Sequence, residues 1–195
     1  MKRIIGLTGG IATGKTTVSN YLAHRYQLPV LDADIYAREA VQVGSPIHSK
    51  ICDRYGSGVQ LPDGTLNRKR LGEIVFSNPA QRQWLEQQIH PYVRDRFQSD
   101  LNTLVAPTIV LVVPLLFEAG MTDLVTEIWV VSCSAEQQLR RMIERDRLSL
   151  EQAQSRINSQ LPLAEKVARA DVVLDNSSTP EALLKQVDLA YTTTR

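Results

Sequence analysis

The eight residues Gly9-Gly10-Ile11-Ala12-Thr13-Gly14-Lys15-Thr16 constrain this chain most, because they match G-x-x-x-x-G-K-S/T without a gap or substitution. Arg3 to Thr8 ahead of them reads as a short buried strand, and Thr17 to Leu22 behind them opens a helix. Strand, glycine loop and helix in that order are the context in which this pattern binds phosphate. Glycines let backbone approach phosphate oxygens where side chains would collide. The loop N–H groups and the helix N-terminus then face the anion. Gly9, Gly10, Ile11, Ala12, Thr13, Gly14, Lys15, Thr16 and Thr17 are therefore the expected triphosphate contacts. Lys15 is expected to reach the β- and γ-phosphates, and the Thr16 hydroxyl to ligate Mg²⁺.

A chain of 195 residues has room for one sizeable α/β core and an insertion. The net charge of +1 gives no general affinity for polyanions. Arg68-Lys69-Arg70 is too short for a basic stripe, so no nucleic acid partner is expected. Cys52 and Cys133 form no C-x-x-C pair and read as reduced thiols of a cytoplasmic protein. The amino terminus runs straight into the first strand, so no signal or transit peptide is expected. The longest apolar run, Ile109 to Phe117, is broken by Pro114 and too short for a bilayer, so no membrane is implied. Nothing marks an interface, which leaves a monomer or small homo-oligomer.

Four apolar runs have the length and β-branching of buried parallel strands: Arg3–Leu7, Thr108–Val113, Ile128–Val131 and Val172–Leu174. Pro29 to Asp32 is a shorter fifth. Helical patterns between them predict a doubly wound α/β sheet with right-handed crossovers. Residues 33–106 carry helical patterns only, more than a simple crossover needs. That stretch is expected to be an inserted helical subdomain on one edge of the sheet, where an acceptor would be held. The nucleotide-binding core is then 1–32 with 107–195. Within the insertion, Ser45-Pro46, Asn67, Asn78-Pro79 and His90-Pro91 each read as a helix start. Ser134 to Gln137 and Ser149 to Gln152 read as capping boxes.

Asp32-Ala33-Asp34 lies just past the second strand, at the carboxyl edge where such sheets bind ligands. Asp34 reads equally as a helix N-cap or as the group that takes the proton of an attacking hydroxyl. Asp32 points the same way on period 2 and is a candidate Mg²⁺ ligand through water. Arg141 and Arg145 fall together on the face opposite Ala135, Leu139, Met142 and Ile143. They read either as a solvated face or as a lid that closes guanidinium charge over a transferring phosphoryl group. Pro114-Leu115-Leu116-Phe117-Glu118 follows the third strand where an ATPase or GTPase usually has an acid directly. His90 also reads as a plain helix-start residue.

These residues as a set resemble the dephospho-coenzyme A kinases. The match runs through Gly6 to Ile11 with Gly14 to Thr17, departing at Ala12-Thr13 where Gly-Ser or Ala-Ser is commoner, then Asp32-Ala33-Asp34 with Ala37-Arg38, and Ile89-His90-Pro91. It continues through Pro114 to Glu118, Gln138 with Arg141, Arg145 and Asp146, then Arg156-Ile157, Ser159-Gln160, Ala170-Asp171 and Asp175-Asn176. The resemblance implies a P-loop fold of the nucleoside-monophosphate-kinase type: a five-stranded parallel sheet, a helical insertion and a lid at roughly 138–165. It implies transfer of the ATP γ-phosphate to the 3′-hydroxyl of dephospho-coenzyme A, with Mg²⁺ as cofactor. It puts Asp34, Lys15 and Arg141 in catalysis, with Asp34 the base. Arg141, Arg145 and Asn176 join the ATP site, with Asn176 near adenine. Asp32, Asp34, Arg38, His90, Leu115, Phe117 and Glu118 fall in motifs around the acceptor.

Two other classes fit less. A kinase for a nucleoside, nucleotide or sugar acid would share the loop and an insertion but not the full motif set. A nucleotide switch needs a direct acid after the third strand, and often Asn-Lys-x-Asp for guanine; this chain has neither.

Overall fold

The computed structural model describes residues 2–193, apart from the side chain of Phe76. The described residues form a five-stranded, all-parallel sheet in the order β2-β3-β1-β4-β5. The strands are β1 (Arg3–Gly9), β2 (Val30–Asp32), β3 (Thr108–Val112), β4 (Glu127–Ser132) and β5 (Val172–Asp175). β1 is central, with Leu7 opposite both Val112 of β3 and Trp129 of β4. Strands covered on both faces need continuous apolar sequence, and β3 is buried at every position.

The chain divides into two compact units, residues up to Asp32 with those from Leu104 onward, and Ala33 to Thr103. The sheet unit carries α1 (Lys15–Tyr26), α6 (Ala135–Asp146), α7 (Leu150–Asn158), α8 (Leu163–Ala168) and α9 (Pro180–Thr193). Its core joins Ile5, Leu7, Val18, Leu22, Val110, Trp129, Val131, Leu174, Leu183 and Val187. Both capping boxes form, Ser134 with Gln137 and Ser149 with Gln152, fixing where α6 and α7 begin.

One polar seam in this unit predicts a pH dependence. Tyr21 and Tyr26 both donate to the Asp188 carboxylate, at 2.8 Å each for their shorter bonds. Burial, helped by that bond, pushes the Tyr26 hydroxyl up to about 12 from an ordinary 10.0. Folding thus favours the neutral phenol. Its contribution is complete below the unfolded value near 10 and is lost as the pH rises through about 12. Chemical denaturation across that alkaline range should show stability falling, and falling less steeply in Tyr26→Phe. An equally steep fall in that variant would remove Tyr26 from the account.

The helical unit contains α2 (Ala33–Ala40), α3 (Pro46–Tyr55), α4 (Arg68–Ser77) and α5 (Pro79–Thr103). Ser45 and Asn67 cap α3 and α4 through side-chain oxygens. Ile51, Val59, Leu66, Leu71 and Val75 form its core. Tyr36 packs edge-on against Phe97, ring centroids 5.0 Å apart, and donates its hydroxyl to Asp100.

His90-Pro91 does not start a helix, contrary to the sequence reading. Pro91 lies inside α5, which runs unbroken from Pro79 to Thr103. A proline deprives the carbonyl four residues earlier of its partner. Here that residue is Gln87, and both Gln87 and Pro91 are exposed, where water can take the bond.

Candidate active site

The phosphate loop begins where β1 runs out at Gly9 and ends at the first turn of α1. No side chain caps α1; its N-cap is Gly14 in a left-handed conformation, φ 110°. A helix N-terminus in that state offers unsatisfied N–H groups and a partial positive charge to an anion. A Cβ on Gly14 would stand 2.3 Å from the Asn176 amide nitrogen, so glycine is required there twice over. Ala12 adopts φ 59° without being a glycine, the kind of stored backbone strain found at ligand-binding turns.

The loop is tied from within and from outside. Thr13, fully buried, donates its hydroxyl to the Gly10 carbonyl at 2.9 Å. Lys15 folds its ammonium over the loop, 2.7 Å from the Gly10 carbonyl and 3.3 Å from that of Gly9. Asn176, just past β5, donates its side-chain amide to the Thr13 carbonyl at 2.8 Å. Thr16 and Thr17 are exposed on the first turn of α1.

On α6, Gln138 and Met142 are the buried residues, whereas Ala135 is exposed. The expected apolar face is thus rotated, and Arg141 and Arg145 do not share an outer face. The Arg141 guanidinium turns inward and donates from Nη2 to the Asn176 carbonyl at 3.0 Å. Its Nη1 is buried with no hydrogen-bond partner among the described residues. Arg145 is exposed and grips Asp146 with two bonds of 2.8 and 2.9 Å. The Arg145 bond holds the Asp146 carboxyl below its ordinary range, with help from the charge of Arg156. Burial pushes the Cys133 thiol up, against the opposing pull of Arg141.

After β3, residues 114–118 form a pinned turn. Pro114 accepts from the Thr8 hydroxyl at 3.3 Å and from Lys166 Nζ at 2.9 Å. Lys166 is wholly buried and pairs with Glu118 at 2.8 Å. The same Glu118 oxygen accepts from the Leu161 N–H at 2.9 Å. Arg169 lies 4.2 Å over the Phe117 ring. Leu115 and Phe117 are half-buried, and the carboxylate of Glu118 is committed to α8 and its approach. Composition gave no signal for Lys166, which reads as an ordinary polar helix position. Lys166→Met would leave the Glu118 carboxylate without its ion-pair partner, with only the Leu161 N–H, and the Pro114 carbonyl with only the longer Thr8 bond. We expect a loss of about 3 kcal/mol in chemical denaturation, the low end for a broken buried pair, because Glu118 keeps 23% exposure.

Asp32 closes β2 and Asp34 lies exposed in the first turn of α2. The period-2 argument that aligned them fails, because the chain changes from strand to helix between them. Arg38 is exposed farther along α2, and His90 is half-buried within α5.

A parallel sheet ending in a glycine loop with a lysine over it binds polyphosphate. β3 ends at Val112 and is followed by Val113-Pro114 rather than by the acid of a nucleotide switch. The class so defined is a P-loop phosphotransferase. The family model described as CoaE, dephospho-CoA kinase, matches residues 3–181. The dephospho-CoA kinase of Trichormus variabilis is 66% identical over 189 residues, covering 97% of this chain and 96% of that protein. A Thermus thermophilus protein of known structure superposes with TM-score 0.81 at 33% identity, covering 100% of this chain and 98% of its own. The Campylobacter jejuni dephospho-CoA kinase superposes with TM-score 0.72 at 27% identity, with the same coverage of 100% and 98%. This chain belongs to the dephospho-CoA kinase family, whose reaction phosphorylates dephospho-CoA to CoA with ATP in the last step of CoA biosynthesis.

Proposed function

We infer that this chain moves the γ-phosphate of ATP to the 3′-hydroxyl of dephospho-CoA, giving CoA and ADP. The observation that carries this reading is the lysine-covered glycine loop at an uncapped helix N-terminus, in a chain of this family. The N–H groups of residues 9–17 receive the phosphates. Lys15 neutralises charge at the β- and γ-oxygens. Arg141 offers its buried, unpartnered Nη1 to the nucleotide, and Arg145 leaves Asp146 to meet the transferring group. Asn176 acts from beside the loop, where its side chain already holds Thr13.

Mg²⁺ fits the donors present. Among the described residues no cluster of three or more His, Cys, Asp or Glu could cage a metal. Mg²⁺ in kinases needs few protein oxygens, because phosphates and waters complete its shell. The exposed Thr16 hydroxyl would hold it directly and Asp32 through water. Once bound it would offset charge on the β- and γ-phosphates.

Asp34 orients the 3′-hydroxyl and accepts its proton. Arg38 and His90 contribute charge and hydrogen bonding to the acceptor, which itself carries a pyrophosphate. Leu115 and Phe117 supply apolar surface, and Glu118 keeps their turn in place. The transfer is direct and in line, with no phosphoenzyme. No helix among the described residues is long and apolar enough to cross a membrane, and both cysteines are free thiols. We place the enzyme in the cytoplasm on the thiols.

The test is ADP release with Mg-ATP and a panel of acceptors: dephospho-CoA, adenosine, nucleoside monophosphates and sugar acids. Turnover with dephospho-CoA alone, giving a 3′-phosphorylated product, is expected. Turnover with another acceptor, or none above the acceptor-free rate, would overturn the assignment.

A further inference from the structure

Gln138 is the residue on α6 that the phosphate-loop pattern does not contain and that the loop nevertheless touches. Its side chain is 5% exposed, and Nε2 donates to the Ile11 carbonyl at 2.9 Å. A buried glutamine in the middle of an amphipathic helix needs a partner, and here the partner is loop backbone.

The direction of that bond matters. The described chain has no cis peptide bond. In a planar trans peptide the N–H points opposite to the carbonyl of the same unit. The carbonyls of Gly10, Ile11 and Thr13 are held by Thr13 and Lys15, by Gln138, and by Asn176 respectively. The N–H groups of Ile11, Ala12 and Gly14 are thereby turned away from those side chains. Of these three restraints, the one on Ile11 comes from the helix that also carries Arg141 and Arg145.

Gly10 gives an independent sign of the same contact. It occupies an unspecified position of the G-x-x-x-x-G-K-S/T pattern, so the pattern itself does not ask for glycine. A Cβ there would stand 2.4 Å from Gln138 Nε2 and 3.3 Å from its Cδ. The Thr13 methyl, at 3.1 Å, is the other of the three nearest atoms. Glycine at position 10 makes room for the Gln138 amide.

We propose that Gln138 is a positioning residue for the phosphate loop, presetting the Ala12 N–H for a nucleotide phosphate and tying the loop to the helix of Arg141 and Arg145. The role rests on the reading of the loop as the ATP site. It implies that Gln138 affects ATP far more than the acceptor.

The test measures Mg-ATP affinity by calorimetry, the two KM values by kinetics, and the melting temperature, in Gln138→Leu and Gln138→Ala. Loss of a buried donor to one carbonyl is expected to weaken ATP about tenfold or more. KM for dephospho-CoA should stay within about twofold in the same variants, a split that general loosening of the fold would not produce. A cycle with Gly10→Ala keeps the idea testable if either substitution lowers stability. Gly10→Ala should weaken ATP binding in the wild-type background and cost less in Gln138→Ala, where the colliding amide is gone and the Thr13 methyl at 3.1 Å remains. An ATP affinity unchanged in Gln138→Leu, or a Gly10→Ala cost equal in both backgrounds, overturns the proposal. The calorimetry needs no acceptor, so a failure of dephospho-CoA turnover would be seen separately in the wild-type assay.

Discussion

Asp34→Asn is expected to lower kcat by roughly 10²–10⁴-fold, the usual share of a general base, while leaving Mg-ATP affinity near that of the wild type. The asparagine is nearly isosteric and keeps an acceptor oxygen, so the hydroxyl can still be oriented. What it loses is the capacity to take the proton and the negative charge that makes the hydroxyl oxygen more nucleophilic. Asp34 is exposed in the first turn of α2, outside the glycine loop of residues 9–16, so the proposed nucleotide contacts are left in place. Single-turnover kinetics at saturating ATP and dephospho-CoA separate the chemical step from product release. An unchanged chemical rate would take Asp34 out of the base role. Phosphoryl transfer passes through a loose transition state with little bond formation to the acceptor, so an effect at the lower end of the range would assign Asp34 mainly to orientation.

Lys15→Ala should differ from Asp34→Asn by damaging binding and rate together. The ammonium lies 2.7 Å from the Gly10 carbonyl and is the charge that the loop itself carries. Removing a charge-assisted bond weakens nucleotide binding by about 10–100-fold. Removing preorganised positive charge from a transferring phosphoryl group lowers kcat by on the order of 10²–10³-fold. Lys15→Arg should rescue little, because a planar fork cannot occupy the place of a compact ammonium folded over loop carbonyls. ATP affinity by calorimetry, with kcat measured at saturation, distinguishes the two losses. A Lys15→Ala enzyme with normal affinity would mean that the loop N–H groups alone hold the phosphates.

The contrast between these variants follows what could be read along the chain and what could not. The loop, its flanking strand and helix, and the sheet strands are local patterns. Glycine and lysine spacing, β-branched runs and capping residues act over a few positions, so their outcome is visible in order. Ser45, Asn67, Ser134 and Ser149 cap helices as their neighbours predict, because a cap is satisfied within three residues. Pro91 misled for the converse reason. Proline is a start signal when taken locally, but a helix can carry it where the orphaned carbonyl faces water.

By itself, the sequence determined that a phosphate-binding loop leads an all-parallel sheet, and that the chain carries the family's motif set. Only the tertiary structure decided how that loop is held. Gln138, Asn176 and Lys166 are polar residues whose partners are backbone carbonyls far along the chain: Ile11, Thr13 and Pro114. A backbone carbonyl has no residue signature, so no spacing or composition announces such a bond. The same holds for Arg141 and Arg145, which look alike on a helical wheel. One is drawn inward by the Asn176 carbonyl and the other outward by Asp146, because the inner face of α6 is the one carrying the buried Gln138, bonded to the loop, and the buried Met142.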